Sequence, residues 1–396
     1  MSALAGIKVL EFSRVLAGPW CGMTLADLGA EVIKVEPLDG DDTRGYGPPF
    51  FEGSDGADSG EARLSAYFAS CNRGKSSIAV DLRHPRTRPL IEALVREADI
   101  LIENFRTGVP EALGLDAARL HTLNPRLIYC AISGYGRSGP GAQRAGYDFV
   151  VQAESGLMSI TGPADGEPSK VGVATVDIVS GLNATVAVLA ALHQRHLTGR
   201  GQSIEIALFD SQLQALANVA GSALCTGEPA KRYGNAHPSI VPYQTFAARD
   251  GLFALACASD RLWARLCAIV GCEAWIDDAR CATNAARVTH RDWLIPQLAA
   301  RFADASVGDW LARFEAAGIP AAPVNNARDA VFGELATARN LRIEADGIAM
   351  IASPLRMSDS PMAEPQRPPH LGEHADAICA AHGFDADALR NAGAIR

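Results

Sequence analysis

The stretch IKVLEFSRVLAGPWCGMTLADLGAEVIKVE (residues 7–36) decides the fold. IKVLEF (7–12) and EVIKVE (31–36) are short apolar runs, and GPWCGMTLADLGA (18–30) between them reads as a helix ending at a glycine. Two such runs separated by about a dozen helical residues form a βαβ unit, whose strands are parallel. The pattern recurs in SSIAVDL (76–82), the helical PRTRPLIEALVREA (85–98), DILIEN (99–104), RLIYCAIS (126–133) and SIEIAL (203–208). The expectation is an α/β protein whose large, Rossmann-like domain carries a parallel sheet.

Outward from this core, the chain changes character twice. Residues 37–65 are rich in Gly, Asp and Pro and read as a long loop, as does TGEPAKRYGNAHPSIVPYQT (226–245). Long loops in compact domains are often functional. LFALACAS (252–259) then opens a smaller α+β unit with the amphipathic DRLWARLCAIVG and VGDWLARFEAAG. A Pro-rich connection (353–374) leads to a short C-terminal helix. The expected division is a large domain over 1–225, a small α+β domain over 226–330, and a return segment over 331–396 that packs back on the large domain.

Bulk properties narrow the class. The 396 residues are 48% apolar and 20% charged, as in a soluble globular enzyme. A net charge of −9 argues against wholesale binding to nucleic acid or anionic membrane. The nine cysteines form no Cys-x-x-Cys pair and no zinc-spaced cluster, which suggests reduced thiols in a cytoplasmic protein with no metal site. MSALAGIKVLEF carries Lys8 and Glu11 too early for a secretory signal.

Several common chemistries lack their motifs. The first strand-to-helix turn, EFSRVLAGPW, has no Gly-x-Gly-x-x-Gly, and neither a Walker loop nor a Gly-x-Ser-x-Gly elbow occurs. What remains is GVATVDIVSGLNATVAVL (172–189), where Asp177 is the single charge. The apolar run is long enough to span a bilayer, but its Gly, Thr, Ser and Asn content fits a buried core helix better. Asp177 reads as the N-cap of a helix ending at Gly199. A carboxylate nucleophile held ionised by the helix terminus would have the same geometry, so the residues alone leave both roles open.

A set of segments in order carries a resemblance. LAGIKVLEFSRVLAGPWCGMTLADLGAEVIKVE (4–36), NRGKSSIAVDL (72–82), ADILIENFRTGVPEALGLD (98–116) and NPRLIYCAISGYGRSGP (124–140) open it. GYDFVVQAESGLMSITG (146–162), the Asp177 helix with TGRGQSIEIALFD (198–210), and LGEH (371–374) complete it. The chain resembles the class III CoA-transferases, whose fold the α-methylacyl-CoA racemases share. The resemblance implies an interlocked, ring-like homodimer. It implies acyl-CoA and carboxylic acids as substrates, with coenzyme A exchanged rather than permanently bound. Asp177 matches the family's nucleophile, which passes through an aspartyl anhydride and an aspartyl-CoA thioester.

The same resemblance assigns a CoA site. Val15 matches a contact in the first loop, and Arg44 falls in the Asp-rich loop after the second strand. Val80 to Arg83 match the segment along the adenosine part, and Asn104, Phe105 and Arg106 the segment after DILIE. Lys75 in NRGK is a further phosphate candidate. Tyr147 stands where the racemases carry an acid/base histidine, which favours transfer over racemisation, the alternative activity. In YGNAHPSIVPYQ (233–244), His237 and Pro238 replace the glycine run of the oxalate enzymes. That loop resembles members acting on C4–C6 dicarboxylates, with Tyr147 and His237 as substrate contacts and succinyl-CoA as a donor.

Overall fold

The computed structural model describes residues 1–51 and 63–396; part of the first long loop therefore lies outside the described residues. The chain divides into two compact units, Met1–Leu157 with Val171–Thr226 and Ala336–Arg396, and Met158–Lys170 with Gly227–Leu335.

The larger unit is built on six parallel strands, β1 (Lys8–Glu11), β2 (Glu31–Glu36), β3 (Lys75–Ala79), β4 (Ile100–Glu103), β5 (Ile128–Ser133) and β6 (Ser203–Ala207), in the order β3-β2-β1-β4-β5-β6. Its helices are α1 (Ala17–Asp27), α2 (Ala66–Asn72), α3 (Arg88–Glu97), α4 (Val109–Leu113), α5 (Ala117–Leu123) and α6 (Asp148–Glu154), then, after α7 (Leu157–Ile160), which falls almost wholly in the smaller unit, α8 (Thr175–Thr198), α9 (Leu208–Ala215) and α10 (Ala217–Thr226). Side chains alternate across the pleat. Leu10, Val35, Ile78, Leu101 and Tyr129 enter one core with α3, whereas Val9, Val32, Ile100, Ile102 and Ile128 enter another with α1 and α8. Both faces are covered, which is why the strands read as near-continuous apolar runs.

The 372–396 region completes the first of these cores. Ala375, Ile378, Cys379, Leu389, Ala394 and Ile395 are buried in it. Ile395 bridges Val80, Asp81 donates its N–H to Ala394 O at 2.9 Å, and Ser77 N donates to His374 Nδ1 at 3.2 Å.

Helix α8 is the candidate span of the sequence and the one helix among the described residues long and apolar enough to cross a bilayer. Its Val176, Ser180, Gly181, Ala184, Thr185, Val188, Ala191 and Arg195 are buried in the unit. Gly181 makes that packing possible, because a Cβ there would stand 2.5 Å from Ala17 O on α1. Gly199 closes the helix in the left-handed conformation that glycine tolerates. The opposite stripe, Leu182, Val186 and Leu197, is exposed in the single chain.

The smaller unit has a three-stranded antiparallel sheet, β7 (Tyr243–Ala247), β8 (Leu252–Ala256) and β9 (Ala321–Pro323). Phe246, Phe253, Phe302, Trp310 and Phe314 form its aromatic core.

Candidate active site

Asp177 is the third residue of α8, and Ala174 is the N-cap, without a side-chain capping bond. The capping role expected of Asp177 is therefore corrected: the helix begins earlier, and the cap is supplied from elsewhere. Asp148 Oδ1 accepts the Val176 N–H at 2.8 Å, and Asp148 Oδ2 accepts from Gln152 Nε2 at 2.6 Å. Gln152 Oε1 in turn accepts the Val171 N–H at 2.9 Å. Two side chains of α6 thus fix both the approach to α8 and its first turn.

Asp177 is left with an unusual carboxyl. Burial, followed by the negative charge on Asp148, raises its pKa to about 7. The expectation of a carboxyl held ionised by the helix terminus is corrected accordingly. Half-ionised near neutrality, it is a more basic and more nucleophilic carboxylate than an exposed aspartate. Tyr67 shares this surrounding: burial, then the charge of Asp177, pushes its phenol up to about 12. The Tyr67 ring meets Tyr46 edge-on at 5.4 Å; burial, then the charge of Asp42 and then Tyr147, a 61% exposed side chain next to Asp148 in sequence, push the Tyr46 phenol up. Tyr46 and Tyr67 carry no local sequence signal of a role at this site, and Asp148 only its place beside Tyr147 in the GYD triplet (146–148).

The remaining sequence candidates fall into four groups. Val15, Asn104, Phe105 and Arg106 come together at the carboxyl ends of β1 and β4. Asn104 Oδ1 accepts the Arg14 N–H at 2.9 Å and its Nδ2 donates to Arg14 O at 2.8 Å, tying the two loops, while Phe105 packs 6.3 Å from Phe12. Arg106 is exposed there. These loops lie where the strand order reverses between β1 and β4, the position at which open α/β sheets bind ligands. Arg83 is exposed beside a 360 Å³ cavity lined by Leu82, His84, Arg88 and Gly114, and Val80 lies buried behind it.

Arg44 and Lys75 are committed inside the unit. Arg44 donates to both carboxylate oxygens of Glu36, at 2.7 and 2.6 Å, and to Pro369 O at 3.1 Å. It also lies 3.8 Å from the centre of the Phe68 ring. Lys75 is buried, with Nζ 2.7 Å from Glu11 Oε2 and donating to Pro19 O and Asn72 Oδ1, both at 2.9 Å. Both cations are thus paired with buried carboxylates.

His237 lies in the smaller unit. Its Nδ1 accepts the Ser239 N–H at 3.0 Å, its ring is 5.3 Å from Tyr243, and Arg291 Nη2 donates to Pro238 O at 2.6 Å. Below, buried Arg287 donates to Val241 O at 2.7 Å. The loop is held at successive points, and the imidazole orients it.

Residues 4–375 match CoA-transferase family III. A succinate–glutarate CoA-transferase of Agrobacterium fabrum is 44% identical, over 95% of each chain. The human succinyl-CoA:glutarate CoA-transferase is 41% identical, over 95% of this chain and 85% of that protein. The crystal structure of a CaiB/BaiF family protein from Brucella suis superposes with a TM-score of 0.87 at 45% identity, covering 96% of this chain and 99% of the other. The chain belongs to CoA-transferase family III and is an enzyme that transfers CoA between acids.

Proposed function

We propose that the enzyme moves CoA from a donor such as succinyl-CoA to a C4–C6 dicarboxylic acid, with Asp177 as nucleophile. The observation that carries this reading is the poorly solvated carboxyl of Asp177 at the start of a buried helix, with a pKa raised to about 7. An Asp177 oxygen attacks the acyl carbon of the thioester. The C–S bond breaks, CoA leaves as thiolate, and a mixed anhydride remains. The thiolate attacks the Asp177 carbonyl carbon, the donor carboxylate leaves with the bridging oxygen, and Asp177 becomes a CoA thioester. The acceptor carboxylate then attacks that carbonyl and displaces the thiolate. The thiolate attacks the acceptor acyl carbon and frees Asp177. No net proton moves, and covalent catalysis divides one exchange into smaller steps.

The first turn of α6 fixes α8 so that Asp177 stays in place through these steps. Tyr46, Tyr67 and Tyr147 supply aromatic surface and hydroxyls around it; exclusion of water protects both acyl intermediates from hydrolysis. CoA is proposed to lie along the loops of Val15 and Asn104–Arg106, with its adenosine end toward Val80–Arg83. Dicarboxylate specificity is supported by the names of the glutarate-using relatives, with His237 a contact of the acyl pocket. A phenol at Tyr147 in place of an imidazole disfavours racemisation.

Two further readings accompany this one. A homodimer is supported by the exposed stripe Leu182, Val186 and Leu197 of α8 and by α10, none of whose residues is buried in the single chain. A cytoplasmic location is supported by nine unpaired cysteines, eight of them buried.

The test is CoA exchange between succinyl-CoA and a panel of acids, read by mass spectrometry, for wild type and Asp177→Ala. Wild type is expected to exchange with glutarate-sized diacids, and the variant not at all. Borohydride or hydroxylamine added to the wild-type reaction should mark Asp177 alone. Full activity of Asp177→Ala would end this proposal.

A further inference from the structure

Buried charge gathers under the loop Ser13–Leu16, between β1 and α1. The side chains of Glu11, Lys34, Asp41 and Lys75 are fully buried. Lys34 Nζ lies 3.0 Å from Glu11 Oε1, 2.9 Å from Asp41 Oδ2 and 2.9 Å from Ser13 O. Glu11 also holds Lys75, so the four charges balance. Burying two ion pairs is a poor route to stability, because desolvation offsets their attraction; fixing one conformation is the better-attested gain.

The conformation they hold is strained. Val15 has φ +71°, in the left-handed region that β-branched residues avoid. Such an outlier persists only where its surroundings over-determine it, and outliers of this kind cluster at functional sites. Here successive backbone groups are taken up by different elements. Ser13 O accepts from Lys34, Arg14 N–H and O bond to Asn104, and the Val15 N–H lies 3.3 Å from both oxygens of Asp41. Val15 O faces Cys71 Sγ at 3.6 Å. Asp41 is itself fixed by Thr43, whose N–H and hydroxyl donate to Oδ1 at 3.0 and 2.8 Å. The loop so held lies at the strand-order reversal, and α1, which starts two residues later, is the helix on which Gly181 seats α8.

We infer that Asp41, held by Lys34 and Thr43, is a positioning residue for acyl-CoA: it keeps Val15 left-handed, so that the loop at the β1–β4 strand-order reversal is preset for the ligand. This rests on the proposed location of the CoA site. Removing the clamp lets Val15 relax, and CoA binding must then restore the conformation at its own expense.

The experiment measures the Kd of CoA by calorimetry and the KM values of succinyl-CoA and glutarate. The proteins are wild type, Asp41→Asn, Val15→Gly and the double variant. Asp41→Asn is expected to weaken CoA binding and raise the succinyl-CoA KM about tenfold, the ratio set by the left-handed penalty of a residue with a Cβ. The glutarate KM should stay unchanged, and kcat should change less than about threefold. Glycine adopts positive φ freely, so Val15→Gly in the Asp41→Asn background should recover part of the CoA affinity. An unchanged CoA Kd in folded Asp41→Asn, equal losses for both substrates, or a double variant no better than Asp41→Asn would overturn the inference. If Asp41→Asn does not fold, Thr43→Val, which removes one bond orienting Asp41, should show a smaller CoA-selective loss; an unchanged Kd there overturns it equally. A wild-type protein that binds CoA but does not exchange it between these acids would defeat the donor–acceptor proposal, while the Kd ratio still decides the role of Asp41.

Discussion

Asp148 accepts the backbone N–H of Val176 at 2.8 Å and so fixes the turn that carries Asp177 while its charge destabilises the Asp177 carboxylate. One side chain performs two functions that are separable by substitution. Asp148→Asn retains an acceptor for Val176 but removes the charge. In wild type, kcat/KM for acyl-CoA should rise with pH through about 7 and level off, as Asp177 ionises. In Asp148→Asn the midpoint should move to lower pH. Asp148→Ala should do the same and also lose about 1 kcal/mol of stability with the cap. A midpoint that stays in place in both variants would separate Asp148 from the ionisation of Asp177.

The same raised pKa has a cost in the resting protein. Because the folded-state pKa of about 7 exceeds the ordinary 3.8, the folded chain holds more protons than the unfolded chain between these values. Stability from this group is therefore lost as pH rises from about 4 to about 7. Asp177→Asn should be more stable than wild type at pH 8, by about 2 kcal/mol once the accessible edge of the carboxyl is discounted. The gap should close toward pH 4. Denaturant melts at the two pH values measure it.

Arg44→Ala distinguishes a ligand contact from an internal one. Glu36 would remain buried without its guanidinium partner, a loss of about 3 kcal/mol. The KM for acyl-CoA in the surviving folded enzyme should stay near the wild-type value. A large KM change at normal stability would return Arg44 to the ligand.

Val186→Asp places a charge on the exposed stripe of α8, where Val186 is 66% accessible in the single chain. The substitution should be tolerated by an isolated chain and should break a dimer that buries the stripe. Light scattering should then report a monomer at concentrations where wild type is dimeric; an unchanged mass places the dimer contact elsewhere.

The parallel sheet was legible because its determinants are local. Val9 and Leu10, or Ile100 and Leu101, point to opposite faces and both are apolar, so a strand buried on two sides announces itself within six residues. The order of the strands was not legible, since pairing β1 with β4 joins Val9 to Ile100 across a separation that no local pattern encodes. Asp177 stood out by being a lone charge in an apolar helix, yet its position within the first turn did not. The residue that supplies the cap, Asp148, lies 28 positions before Val176, whose N–H it accepts. Arg44 and Lys75 looked available for phosphate because a sequence shows a cation without its partner. Glu36 and Glu11 face them only once the sheet and its covering helices have formed.

The insertion of Ala394 and Ile395 beside β3 bears on how the molecule is made. Ser77 and His374 are 297 positions apart, yet the first is hydrogen-bonded to the second. A nascent chain that has made the six strands and α3 still lacks Ala375, Ile378, Leu389 and Ile395, so the core that holds Leu10, Val35 and Ile78 stays incomplete until that late segment arrives. Long-range closure of this kind slows folding and prolongs the exposure of sticky intermediates. Chaperone dependence, and poor tolerance of substitutions that displace Ile395, are what a producer of this enzyme should expect.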